Sequence, residues 1–151
     1  MMKTLAILTL VALLAGVAVA GSKTLVNVDK GGTGLQGYDP VAYFTDHRPV
    51  KGNPQFSSTY NGVRYNFASA EHEALFDATP AKYEPQFGGF CAYGVSRGHT
   101  VPVQVEAFSI VNGRLLLQYD LKVRDQFNED PQGNLKSADE KWPQLVEKQG
   151  R

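Results

Sequence analysis

Beyond residue 20, four side chains carry sulfur or imidazole donors: His47, His72, Cys91 and His99. No CxxC or HxxxH spacing links them, so any shared site must be assembled by folding. Cys91 is the only cysteine, which forbids an intramolecular disulfide and leaves a thiol that is either buried or used. Cys91 with His72 and His99 would form a mixed sulfur and nitrogen site of the kind that suits copper or zinc. The same thiol, with its pKa lowered by a neighbouring His, would be a nucleophile or a peroxide-reactive group in a redox enzyme. That chemistry needs an acid or amide to orient the His, and the sequence marks none. A third reading makes Cys91, flanked by Phe90 and Ala92, a small core residue in a non-metal interaction module. Both methionines are Met1 and Met2, so a Met-rich copper site is excluded from the rest of the chain.

The residues that position the thiol are unusual. Gly88, Gly89 and Gly94 remove side-chain bulk on both sides of Cys91, so the backbone there is predicted to bend sharply or to approach another segment closely. Tyr38-Asp39-Pro40 reads as a helix start, with Asp39 as N-cap and Pro40 at the first helical position. A catalytic acid is the alternative role for Asp39. Several tyrosines of the same half could line a shallow ligand cleft.

Asn61-Gly62 and Asn112-Gly113 each separate two runs rich in aromatic and aliphatic residues, which predicts two β-hairpins, Gln55 to Tyr60 with Val63 to Phe67, and Phe108 to Val111 with Arg114 to Tyr119. Leu115-Leu116-Leu117 is apolar on both faces and is expected to be buried. Ser69 caps a helix from Ala70 to about Ala78, with Glu71 and Glu73 in its first turn. A helix near Leu121 to Phe127 follows the second hairpin. Pro131-Gln132-Gly133 reads as a break before a last helix from Leu135 to Trp142, with Ser137 and Glu140 at capping-box spacing and Pro143 ending it. The segments after the two hairpins look dissimilar, so no internal repeat is expected. The order of elements predicts an α+β fold, a small antiparallel sheet built from two β-hairpins with short helices packed around it.

The chain carries 15 Lys and Arg against 15 Asp and Glu, and that balance argues against nucleic-acid binding. Residues 1–20 combine Lys3, an uncharged run from Leu5 to Ala20 and the small-residue ending Ala18-Val19-Ala20, the three parts of a cleaved signal peptide. The run falls short of the ~20 apolar residues of a spanning helix. A periplasmic or secreted protein with no membrane segment after cleavage is expected, with a flexible lead-in over 21–36 and a single domain over 37–147.

Gly-Tyr-Asp-Pro-Val-Ala-Tyr-Phe at 37–44, Phe-Ala-Ser-Ala-Glu-His at 67–72, Gly-Gly-Phe-Cys-Ala-Tyr-Gly at 88–94 and Ala-Asp-Glu-Lys-Trp-Pro at 138–143 together resemble the exported branch of YHS-domain proteins. The resemblance implies a binding domain in transition-metal or redox homeostasis. Some members of that branch are selenoproteins, which implies redox use of a chalcogen at a position the sequence does not assign. Shorter YHS domains bind metal through two Cys at the hairpin-to-helix junction. In this chain Ala68 stands at the first of those positions and His72 at the second, so the two-thiolate site is gone. From the donor inventory Cys91, His72 and His99 are the candidate metal residues, copper or zinc the candidate ions, and the metal ion or a small ligand the candidate partner.

Overall fold

Each Asn-Gly pair closes a tight hairpin, because Asn61 and Gly62, and likewise Asn112 and Gly113, take the positive φ angles that a two-residue turn requires. The computed structural model describes residues 21–151, so the predicted signal peptide lies outside the described residues. β1 (Asn53–Tyr60) pairs antiparallel with β2 (Val63–Phe67), and β3 (Gln104–Val111) with β4 (Arg114–Gln118). The fold is α+β, and the two hairpins remain separate two-stranded sheets. Five short helices and one long one surround them: α1 (Ala42–Thr45), α2 (Ala70–Ala78), α3 (Pro80–Tyr83), α4 (Ala92–Ser96), α5 (Leu121–Asn128) and, among the described residues the longest, α6 (Pro131–Gln149). Among the described residues no helix is long and apolar enough to cross a membrane.

β4 is the central element. Leu115 and Leu117 face an aromatic core with Tyr43, Phe67 and Phe76, whereas Leu116 faces a second core with Phe127, Leu135 and Leu145. All three leucines are fully buried, as their two-sided apolar pattern requires. Around Phe76 the rings of Tyr60, Tyr65 and Phe67 lie with centroids 5.0–6.1 Å away, Tyr60 edge-on and the other two tilted, which avoids a face-to-face stack.

Three expectations are corrected in α6. The helix runs without a break from Pro131, capped by Asp130 through the Gly133 N–H, and continues past Pro143 to Gln149. Leu135, Ala138 and Leu145 form one buried stripe, so tertiary packing outweighs the cost of Pro143 inside the helix. Ser137 is not a cap; its hydroxyl donates to Ser96 O from mid-helix. The lead-in pairs with the other end of the chain, Thr24 and Arg151 exchanging backbone hydrogen bonds.

The expectation of no internal repeat is also overturned. Leu35, Gln36 and Gly37 all take left-handed φ angles, and so do Phe87, Gly88 and Gly89. Such a run costs roughly 1–2 kcal/mol per non-glycine residue, offset here by burial of Leu35 and Phe87. After each turn come a short helix, a hairpin with an eight-residue and a five-residue strand, an irregularity early in the first strand, and a capped helix. Loop hydrogen bonds match as well. Gly34 N to Arg64 O corresponds to Gln86 N to Leu115 O, and Asp39 N to Val50 O corresponds to Cys91 N to Val101 O. Among the described residues, the stretch from the first left-handed turn to α2 and the stretch from the second such turn to α5 are two copies of one supersecondary unit with different side chains, which hid the repeat from a residue-by-residue reading.

Candidate functional site

Asp39 follows the first left-handed turn, and its position makes it a hub. It is 0% exposed. Oδ1 accepts from the N–H groups of Val41 (2.8 Å) and Ala42 (3.3 Å); α1 begins at Ala42 with Val41 at its N-cap position rather than at Pro40 as expected, so Asp39 closes the turn that leads into the helix. Oδ2 reaches the end of the first hairpin, accepting from the Ala68 N–H at 2.9 Å, and meets Nδ1 of His72 at 2.6 Å. A carboxylate receiving three backbone donors only accepts, so Nδ1 of His72 carries the proton and Nε2 is left to accept in the neutral ring. Ser69 fixes the same residue from below, its hydroxyl accepting the His72 N–H at 3.1 Å. Nε2 lies 3.4 Å from Thr45 Oγ1, at the edge of α1, and the His72 side chain is 16% exposed.

Cys91 occupies the matching place in the second copy. It is 1% exposed and caps α4, with Sγ accepting from the Gly94 N–H (3.5 Å) and the Tyr119 N–H (3.3 Å). The thiol in turn donates to Gln118 Oε1 at 3.3 Å, and that oxygen also accepts from the Tyr93 N–H at 3.0 Å. Gln118 is 0% exposed and its Nε2 is buried without a partner. Burial pushes the Cys91 thiol pKa up, against the backbone hydrogen bonds that favour the thiolate. The glycines around it have structural reasons. A Cβ on Gly88 would sit 2.1 Å from Leu25 O, and one on Gly94 would sit 2.8 Å from Val101 Cγ2.

The structure therefore does not gather the three candidate metal residues. Among the described residues no group of three or more His, Cys, Asp and Glu side chains could hold a metal ion. His72 pairs with Asp39, Cys91 is enclosed between α4 and β4, and His99 is exposed, its N–H donating to Gly94 O. These residues do not fit a transition-metal ion held by this chain alone, since Ala68 has no donor atom and His72 supplies a single nitrogen. The sequence marked Asp39 as a residue that satisfies backbone N–H groups but placed the helix start two residues early, and it showed neither the link to His72 nor Gln118. The repeat that sets Gln118 at the place matching Phe67 was signalled by the nearly constant spacing between Asp39 and Cys91, Asn61 and Asn112, and Ser69 and Asp120. No protein-family model, curated protein or solved structure matches the chain.

Proposed function

We propose that the chain is an exported YHS-type binding domain in which His72, oriented by Asp39, meets the ligand while Cys91 is structural. The observation that carries this reading is the condition of Cys91: buried, hydrogen-bonded on every side, and seated where the other copy has its capping Asp39. A nucleophilic or peroxide-reactive thiol needs exposure and a lowered pKa, and burial works against both. His72 is the asymmetric group. The matching residue in the second copy is Val123, whose N–H is capped by Asp120 as that of His72 is by Ser69. Export is supported by the signal-peptide pattern of residues 1–20, and the YHS reading by the four sequence motifs.

The test compares wild type with Cys91→Ser for copper or zinc retained after dialysis against a weak chelator, and measures alkylation of the native protein by a small thiol reagent. Equal retention, with a thiol that stays silent until the protein is unfolded, is the expected result. Metal lost on Cys91→Ser, or alkylation of the folded protein at the rate of a free thiol, overturns it.

A second reading draws on one contact. A carboxylate on one ring nitrogen is how metal-ligating histidines are oriented, and His72 stands where the resemblance places the second YHS thiolate. Copper or zinc would bind Nε2, with a partner protein completing the coordination. In that case His72→Ala lowers metal uptake in the presence of the partner, whereas Cys91→Ser leaves it unchanged.

A further inference from the structure

A second site lies away from His72, where the lead-in crosses α6. Lys23, Leu25, Asn61, Glu84, Trp142 and Val146 line a cleft of about 270 Å³. Its walls are apolar along Leu25, Val26 and Val146, and the Trp142 indole, packed edge-on to Phe87 with centroids 5.8 Å apart, closes one side. Glu84 is the group that these walls do not explain. Oε2 accepts from Asn61 Nδ2 at 2.9 Å, while Oε1 receives no hydrogen bond and no Lys, Arg or His among the described residues pairs with the carboxylate.

Among the described residues Lys23 is the one cation lining the cleft, and it is already engaged. Its Nζ lies 2.9 Å from Glu147 Oε1 and donates to Glu147 O at 2.8 Å. Glu84 therefore leaves one negative charge without a counter-ion in a cleft that Trp142 also lines. Burial raises the Glu84 pKa, and the same charge helps to hold the buried Tyr65 hydroxyl protonated. A half-buried carboxylate without a counter-ion is free to take a cation, and an aromatic ring attracts the same kind of partner that a carboxylate does.

We infer that this cleft binds a small organic ammonium ion, a primary amine on an apolar body, with its nitrogen on Glu84 Oε1 and its body between Trp142 and the aliphatic wall. A single carboxylate does not hold a divalent cation, whose site takes several oxygens. An anion would meet Glu84, and a zwitterion would have to displace Glu147 from Lys23. A monocationic amine meets Glu84 Oε1 and leaves the Lys23–Glu147 pair intact. This inference does not depend on the role of His72 or Cys91.

Trp142 is the only tryptophan in the chain, so its fluorescence reports on the cleft directly. The full chain is titrated with phenethylammonium chloride, with neutral 2-phenylethanol and with anionic 3-phenylpropanoate. Only the amine is expected to give a saturable change. Glu84→Gln, which keeps an acceptor for Asn61, is expected to weaken the amine about ten-fold or more through loss of the charged hydrogen bond. Lys23→Ala is expected to tighten it by removing a nearby cation, a change in the opposite direction that misfolding would not produce. Equal binding of amine and alcohol, unchanged binding by Glu84→Gln, or no saturation by about 10 mM amine overturns the inference.

Discussion

Cys91 stands in the second half of the chain where Asp39 stands in the first, and each accepts hydrogen bonds from matching backbone groups. Ala42 N and Ala68 N bind the Asp39 carboxylate; Gly94 N and Tyr119 N bind the Cys91 sulfur. A carboxylate has two oxygens and a thiol has one sulfur, so the second copy recruits a further acceptor. Gln118 Oε1 takes the Tyr93 N–H, the counterpart of the Val41 N–H that Asp39 Oδ1 takes. This accounts for a glutamine in a fully buried strand position, where the first copy has Phe67.

If Cys91 is a cap, polarity at that position matters more than volume. Cys91→Ser keeps an acceptor for Gly94 and Tyr119 and is expected to cost little, about 1 kcal/mol from weaker packing. Cys91→Val fills the space and leaves two buried donors unpaired, so a loss of about 2 kcal/mol or more is expected. Urea denaturation of the pair decides the matter. A valine variant as stable as the serine one would make Cys91 an apolar core residue.

Asp39 should be worth more than an ordinary helix cap, because it ties α1, the end of β2 and α2 together from a fully buried position. Asp39→Ala leaves the N–H groups of Val41, Ala42 and Ala68 without their acceptor, together with His72 Nδ1. Destabilisation of about 3 kcal/mol or more is expected in denaturant titration. Asp39→Asn, able to accept but not to pair with His72 as a charge, should fall between the two. A loss within the roughly 0.5–2 kcal/mol of a surface cap would show that the Ala68 and His72 links contribute little.

The two hairpins, the capped helix Ala70–Ala78 and the burial of Leu115 to Leu117 could be read from local sequence, because turn chemistry, capping and apolar runs act within a few residues. The Asp39–His72 pair could not, since it joins residues on different elements that only the folded hairpin brings together. The repeat was obscured by substitutions that preserve geometry while changing chemistry, such as Asp39 to Cys91 and Phe67 to Gln118. The continuous α6 was misread for a related reason. Pro143 and Gly133 are local breakers, but the stripe of Leu135, Ala138 and Leu145 packs against a core that exists only once the rest has folded.

Alkaline solution should unfold this chain through its buried hydroxyls and thiol. Burial raises the pKa of Tyr43, Tyr65 and Cys91 above their ordinary values of 10.0, 10.0 and 9.0. A raised folded-state pKa means that the fold favours the protonated form. The contribution is complete below the unfolded-state value and is lost as pH climbs towards the folded one. Urea midpoints measured from neutral pH upward should therefore hold until roughly pH 9 and then fall. Tyr65→Phe removes one ionisable group without removing its ring packing, and its alkaline decline should be shallower. An unchanged slope would mean that Tyr65 remains accessible to solvent.

The last expectation joins stability to the proposed amine cleft. Burial raises the Glu84 pKa against the opposing hydrogen bond from Asn61, so the fold favours the neutral acid. The stabilising contribution of that preference is present below the ordinary carboxylate range and is lost as pH rises through the folded value, which leaves a destabilising charge at neutral pH. Glu84→Gln should accordingly melt higher than wild type at pH 7, and the gap should close as the solution is brought to about pH 4. Because Glu84 is only half-buried, solvent screening keeps the effect small, and differential scanning calorimetry at both pH values is the suitable measurement. A carboxylate kept at a cost in stability is what a binding group looks like before its cation arrives, and added phenethylammonium should raise the wild-type melting temperature towards that of the variant. A variant that melts lower than wild type at pH 7 would show that Glu84 serves the fold through Asn61, and the cleft would lose its electrostatic basis.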